Sequence, residues 1–216
     1  MTPACHKYFP PCEKGLNVQR TMRGFTMLEM MIVVAIVIAV TAFGVMSVQP
    51  ALKQSRVNNG YNTVLMAIRR AREASVAERR VYMVTFTAPR TVSITQVVTG
   101  NVIFSTTLPS DVQFDAEPGI PNTATTSPDG FGTGPASGAI DFDVNVGGGG
   151  TNTVYFYPDG SARDVNNIIN NGVLYIARPG DLMSSRAITV WGLTGRIRGW
   201  RIYKNAAAGT YYWSQQ

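Results

Sequence analysis

No stretch of this chain constrains its fold more than the apolar run from Phe25 to Val48, whose single charge is the carboxylate of Glu29. A helix rises about 1.5 Å per residue, so these roughly 24 residues reach about 36 Å, against roughly 30 Å of bilayer hydrocarbon. A carboxylate inside such a segment costs roughly 2–3 kcal/mol or more, so Glu29 needs a partner or a function. The plainer alternative is an ordinary single-span anchor with a chance acid. The preceding residues, Met1–Gly24, have no apolar core of their own and carry Lys7, Lys14, Arg20 and Arg23 against Glu13. That bias favours retention on the cytoplasmic side of a membrane.

The head of the run reads Arg23-Gly24-Phe25-Thr26-Met27-Leu28-Glu29. It resembles the type IV prepilin signature, Gly-Phe-Thr-Leu-(Ile/Val)-Glu, with Met27 and Leu28 as conservative departures. The resemblance implies a prepilin peptidase that cuts between Gly24 and Phe25 and methylates the new amino terminus at Phe25. The apolar helix is then retained, whereas a secretory signal peptide loses its apolar region. It further implies that Glu29 pairs with the charged amino terminus of its own or a neighbouring subunit, which offsets its burial and sets the register of assembly. Cys5, His6 and Cys12 all fall in the implied leader. As a metal site they lack a fourth ligand and a packed domain, so no metal is expected, and the mature chain is expected to hold no disulfide and no imidazole.

The net charge is +6, of which the leader supplies +3, so the remaining chain is only mildly basic. Any argument for nucleic acid must therefore rest on local clustering. Twenty-one glycines and only 15% charged residues suit a β-rich domain with many turns.

Four segments are expected: the leader at 1–24, a transmembrane helix at 25–49, an amphipathic continuation at 50–80 and a β-rich domain at 81–216. Pro50 should kink the helix. Beyond it, Leu52, Val57, Tyr61, Val64, Leu65, Ile68 and Ala71 recur at three- and four-residue steps, the apolar stripe of a helix reaching about Glu78. Lys53, Arg56, Arg69, Arg70, Arg72, Arg79 and Arg80 form its other face, either solvated or in contact with subunits and acidic lipid headgroups.

From Val81 the period becomes strand-like. Strands are expected at 81–87, 91–98, 102–108, 112–114, 140–146, 153–157, 173–177, 187–193 and 196–203. Residues 115–138, rich in Pro and Gly, read as a surface excursion, and Gly147–Gly150 as a flexible break. Residues 206–216 read as a tail or a weakly attached last strand. The fold class is thus α+β, a long helix packing its stripe on antiparallel sheet.

That layout resembles the pilin fold, and within it the minor pseudopilins of the GspH/FimT family. The resemblance is carried by the run from Ala71 to Arg80 leading into Val81-Tyr82-Met83-Val84-Thr85-Phe86. It is carried also by Tyr155-Phe156-Tyr157-Pro158-Asp159-Gly160-Ser161 and by Thr189-Val190 followed by Gly195-Arg196-Ile197-Arg198. It implies a subunit of a type IV pilus or of a type II secretion pseudopilus, with other pilin subunits, the prepilin peptidase and inner-membrane lipid as partners.

Strand alternation sends Arg196 and Arg198 to one face and Ile197 to the other. Arg186, Arg201 and Lys204 lie nearby with no acid between Arg186 and Lys204, and Trp191, Trp200 and Tyr203 are interleaved, a combination suited to phosphate contacts with stacking. Resemblance to FimT-type pilins nominates Arg196 and Arg198 as DNA contacts, with Arg201 and Lys204 beside them. A plain β-hairpin with solvent-facing or subunit-facing arginines is the competing reading. Asp141-Phe142-Asp143-Val144-Asn145 imitates the start of a calcium loop, but Val146 replaces the needed glycine and Asn152 the final Glu, leaving solvent-facing strand carboxylates. No nucleophile–base set, paired-carboxylate site or phosphate-binding Gly-Lys-Ser/Thr loop can be assembled. The chain is expected to be no enzyme, with no cofactor and no small-molecule substrate.

Overall fold

The computed structural model describes residues 24–121, 128, 138–144 and 152–216, with only the backbone at 43, 45–47, 143 and 144. The leader residues 1–23, most of the 115–138 excursion and the Gly147–Gly150 break lie outside the described residues, as do Cys5, His6 and Cys12. The chain divides into two compact units, Met1–Ser47 and Val48–Gln216.

One helix, α1 (Met27–Glu78), contributes to both units and contains Pro50. Thr26 caps it: the Glu29 backbone N–H donates to Thr26 Oγ1 at 3.2 Å and the Met30 N–H to the Thr26 carbonyl at 3.1 Å. Thr-x-x-Glu at a helix start is the capping-box pattern, and an acid in the first turn also complements the helix dipole. In the first unit the described side chains of α1 are exposed although aliphatic, Ile32 and Val40 at 52% and 64% for example. Among the described residues no helix is long and apolar enough to cross a membrane. The apolar run from Phe25 to Val48 includes the undescribed side chains at Phe43 and 45–47.

In the second unit α1 buries the expected stripe. Val57, Tyr61, Val64, Leu65, Ile68 and Ala71 all belong to the core, and small residues Gly60 and Ala67 join them. Leu52, assigned to that stripe from its spacing, is exposed instead, because the stripe meets the sheets only from Val57 onward. The helix ends in a left-handed residue, Arg79 (φ 53°), with the Arg80 N–H bonded back to the Ser75 carbonyl at 3.2 Å. That is the Schellman stop, filled here by arginine where glycine is usual.

Two antiparallel sheets follow. The first comprises β1 (Tyr82–Thr87), β2 (Thr91–Gln96), β3 (Val102–Thr107), β6 (Thr153–Phe156) and β7 (Ala162–Arg163) in the order β3-β2-β1-β6-β7. The second comprises β4 (Gln113–Phe114), β8 (Asn171–Arg178), β9 (Asp181–Trp191), β10 (Arg196–Lys204) and β11 (Tyr211–Gln215) in the order β11-β10-β9-β8-β4, with β5 (Ile140–Val144) also paired to β8. The fold is α+β, and the inner faces of both sheets meet the second half of α1. Val84, Phe86, Ile94 and Phe156 from the first sheet, and Leu174, Ile176, Ile188 and Val190 from the second, share one core with the helix stripe.

The second sheet is covered on its other face too. Val173, Tyr175, Ala187, Trp200, Ile202 and Trp213 pack there beneath Ile120. Both faces being buried explains the near-continuous apolar run of β8 and the buried polar residues Ser184, Ser185, Arg186 and Thr189 of β9, whose period is harder to read than alternation. It also corrects the surface reading of residues 115–121. Ile120 is buried, the Trp213 Nε1–H donates to the Pro121 carbonyl at 2.8 Å, and the Gly180 N–H donates to Glu117 Oε1 at 2.7 Å. The last strand is no tail, since Tyr211–Gln215 pairs along β10 from Lys204 to Trp200. Asp141 is buried in β5 rather than facing solvent.

Candidate functional site

Helix α1 and strand β10 run antiparallel across the second unit, and three contacts fix their alignment. Arg72 donates from Nε to the Gly160 carbonyl (3.3 Å) and from Nη2 to the Thr194 carbonyl (3.0 Å), tying the helix to the β9–β10 turn. Tyr61 lies against Gly199, where a Cβ would strike its hydroxyl. Asn58 Oδ1 accepts from Arg186 Nη2 at 3.0 Å, and Arg186 stands opposite Arg201 in the β9–β10 ladder. Residues 58 to 72 of a helix and 195 to 201 of a strand both span roughly 20 Å, so the three contacts are mutually consistent. Gly195 (φ +59°) closes the turn against Gly160 and Arg72, leaving no room for a side chain.

This alignment separates the cations that the sequence grouped. Ile197 packs toward the helix-side core and Trp200 and Ile202 toward the other face, so alternation sets Arg196 and Arg198 opposite Ile197, as expected. The same alternation puts Arg201 on the helix side with Gly199 and Tyr203. Lys204 shares a face with Arg196 but stands roughly 26 Å along the strand from it. Arg196 is exposed, with its guanidinium 5.7 Å from the Trp191 ring. Trp200 is not available for stacking on a ligand: it is 7% exposed and donates to Thr189 Oγ1 at 2.9 Å.

At the helix–turn junction lies an open cleft of about 520 Å³, lined by Arg69, Arg72 and Glu73 from α1 and by Thr194, Gly195, Arg196 and Ile197. The spacing of Arg69 places it on a solvated or subunit-facing helix face; its position in the same cleft as Arg196 comes from the tertiary fold. Arg72 was assigned to the same face and is instead half-buried, spent on the two carbonyls.

Arg186 is the group that sequence reading underrated. Its side chain is 1% exposed, donates to the Ser184 and Ser185 carbonyls at 3.0 and 2.9 Å as well as to Asn58, and forms no ion pair with a described carboxylate. Burial, reinforced by the neighbouring Arg201 charge, pulls its pKa down to about 10. Burial likewise raises the Tyr61 phenol above its ordinary value. Nothing in the local pattern Ser184-Ser185-Arg186-Ala187 distinguishes a buried arginine from an exposed one.

Gly24, Phe25 and Glu29 are exposed at the start of the described chain. Among the described residues no group of three or more His, Cys, Asp or Glu could hold a metal ion.

No protein-family model matches this chain, and no curated protein does. Among solved structures, the type IV minor pilin FimU of Pseudomonas aeruginosa is similar at 12% identity and a TM-score of 0.41, over 69% of this chain and 89% of that one.

Proposed function

We propose that this chain is a minor pilin or pseudopilin. In this reading it is held in the inner membrane by residues 25–49 with its β-rich domain in the periplasm. It is then assembled with other such subunits into a type IV pilus or a type II secretion pseudopilus. The observation that carries the reading is the chemical division of α1. Its first half exposes aliphatic side chains behind Gly24, Phe25 and Glu29, while its second half buries Val64, Ile68 and Ala71 completely. An exposed aliphatic helix face needs lipid or other apolar helices around it. Glu29 would answer the amino terminus of Phe25 or of a neighbour, and the capping bond from its own N–H to Thr26 holds it in the first turn. The role needs no catalysis, cofactor or small-molecule substrate.

Co-expression with a prepilin peptidase, followed by mass spectrometry of the intact chain, tests this reading. The expected product begins at an N-methylated Phe25 and stays in the membrane fraction. A product cut beyond the apolar run, or an uncut soluble chain, would sink it.

The cleft joining Arg69 to Arg196 favours one second reading, a subunit that grips DNA through Arg196 and Arg198. Binding should then fall steeply with salt as counterions are displaced. It should also be lost in the Arg196→Ala/Arg198→Ala variant; absence of binding at low salt would leave subunit contacts as the role of these arginines.

A further inference from the structure

Helix α1 carries a second stripe besides the one it buries. Asn59, Asn62, Thr63, Met66 and Arg70 recur at three- and four-residue steps, which puts them on one helix face. Together with Phe104 of β3 they line an open groove of about 600 Å³, wholly within the second unit. Phe104 points to the helix side, because it stands opposite Ile94 and packs against the same core. Ile94 is completely buried, so the groove opens on the outer flank of β3 and not toward β2.

That flank is a sheet edge. Among the described residues β3 is hydrogen-bonded to β2 alone. The Leu108 N–H donates to the Arg90 carbonyl at 2.8 Å, and antiparallel bonding repeats at every second residue. Thr106 and Phe104 therefore turn their backbone groups to β2, whereas Ser105 and Thr107 turn theirs outward, and both of these are exposed. The pairing skips Ile103, so the regular edge runs from Phe104 to Thr107. Within it stands no charge, proline or bulge, the devices that keep an edge from accepting a further strand. A strand added there would lie about 4.8 Å beyond β3, and its residues beside Phe104 and Thr106 would point into the groove.

Arg70 sets the chemistry of the added residues. Its guanidinium lies 5.7 Å from the Phe104 ring centre, the side chain is exposed, and it forms no ion pair with a described carboxylate. No acid lines the groove. A second copy of β3 would bring Val, Ile, Phe, Ser and Thr but no carboxylate to answer it. We propose that the β3 edge and its groove dock an extended acidic segment of a partner polypeptide. Its backbone pairs with Ser105 and Thr107, an apolar side chain lies against Met66 and Phe104, and a carboxylate meets Arg70. Backbone pairing supplies the affinity of such a contact and the inward side chains its specificity. This interface goes beyond the pilin reading and stands without it, since every residue it uses belongs to the second unit.

The test uses the full chain in detergent micelles and the acetylated, amidated peptide Thr-Val-Thr-Glu-Thr-Val-Thr. A version with Lys in place of Glu and a version N-methylated at each Thr serve as controls. Amide hydrogen exchange across residues 102–107 should slow several-fold with the Glu peptide. That peptide should bind about two- to five-fold more tightly than the Lys form, the worth of one exposed ion pair, and Arg70→Glu should reverse the order. Ser105→Pro removes an outward N–H and should abolish binding at an unchanged melting temperature. The N-methylated peptide makes the same test without altering the protein, and should not bind. No slowing by any peptide, or equal slowing by the Glu and Lys forms, would overturn the inference. Full protection of residues 102–107 without peptide would also overturn it, since the chain or a second copy would then already cover the edge.

Discussion

The hydroxyl of Tyr61 fills the space in which a side chain at Gly199 would begin, so the tyrosine spans the gap from the helix and ends on the backbone at the centre of β10. That hydroxyl is buried and has no hydrogen-bond partner among the described residues. Gly199→Ala should therefore destabilise the domain by about 1–3 kcal/mol through overpacking. Tyr61→Phe should be neutral or stabilising by up to about 1 kcal/mol, since it removes an unsatisfied polar group. In the double variant the Gly199 penalty should shrink without vanishing, because the hydroxyl is gone while the ring carbon behind it still lies 2.8 Å from the new methyl. Urea denaturation of all four proteins gives the coupling; a wild-type midpoint for Gly199→Ala would refute the close approach.

Arg72 joins α1 to two turns at once through the Gly160 and Thr194 carbonyls. Arg72→Met keeps the aliphatic stem and deletes the donors, and a charged donor to a carbonyl contributes about 1.5–3 kcal/mol. The expected result is a loss of that order in unfolding free energy, with faster amide exchange at residues 158–161 and 192–196. Unchanged exchange in both turns would show that they hold without this tie.

Arg186 makes stability depend on alkaline pH in a direction opposite to Tyr61. Its folded pKa is lowered to about 10, well below the ordinary arginine value, so between the two the unfolded chain binds the proton and the folded chain does not. Its contribution to stability therefore rises with pH above about 10. The Tyr61 phenol, raised in the folded state, loses stability as pH climbs from 10 through its folded pKa. Arg186→Met should lie within about 1–2 kcal/mol of wild type at neutral pH, because burying a cation with no carboxylate partner is costly. Relative to that variant, wild type should gain stability on going from pH 9 toward pH 11. A flat difference would argue against the lowered pKa.

Arg79 occupies the left-handed position that ends α1. Glycine there avoids a Cβ penalty of roughly 1 kcal/mol, so Arg79→Gly should raise the melting temperature by a few degrees. A lowered melting temperature would mean that the Arg79 side chain contributes more than its backbone costs.

Much of this molecule was legible before folding. The helix stripe from Val57 to Ala71, the alternation of β1 and β2, and the opposition of Ile197 to Arg196 and Arg198 all follow from period alone, because one face of each element is buried and the other is not. The period failed where that condition failed. Strand β9 begins at Asp181, six residues before the expected start, because β8 and β9 are covered on both faces and their polar residues are sheltered by bonds rather than by solvent. Likewise Ile120 and Trp213 looked like excursion and tail because the surface they cover belongs to strands distant in sequence.

The sequence by itself determined the apolar helix that begins at Met27, since an unbroken apolar run is local and needs no fold to be read. Only the tertiary structure decided where the basic residues lie and what they touch. Arg72 is a tie between turns, Arg186 a buried cation held by carbonyls, Arg196 a wall of the cleft that Arg69 also lines, and Arg201 and Lys204 neighbours of Tyr203 and Tyr211 on opposite faces of the same strand. Charge has no period, so an arginine's role is set by which distant backbone or ring the fold brings within reach.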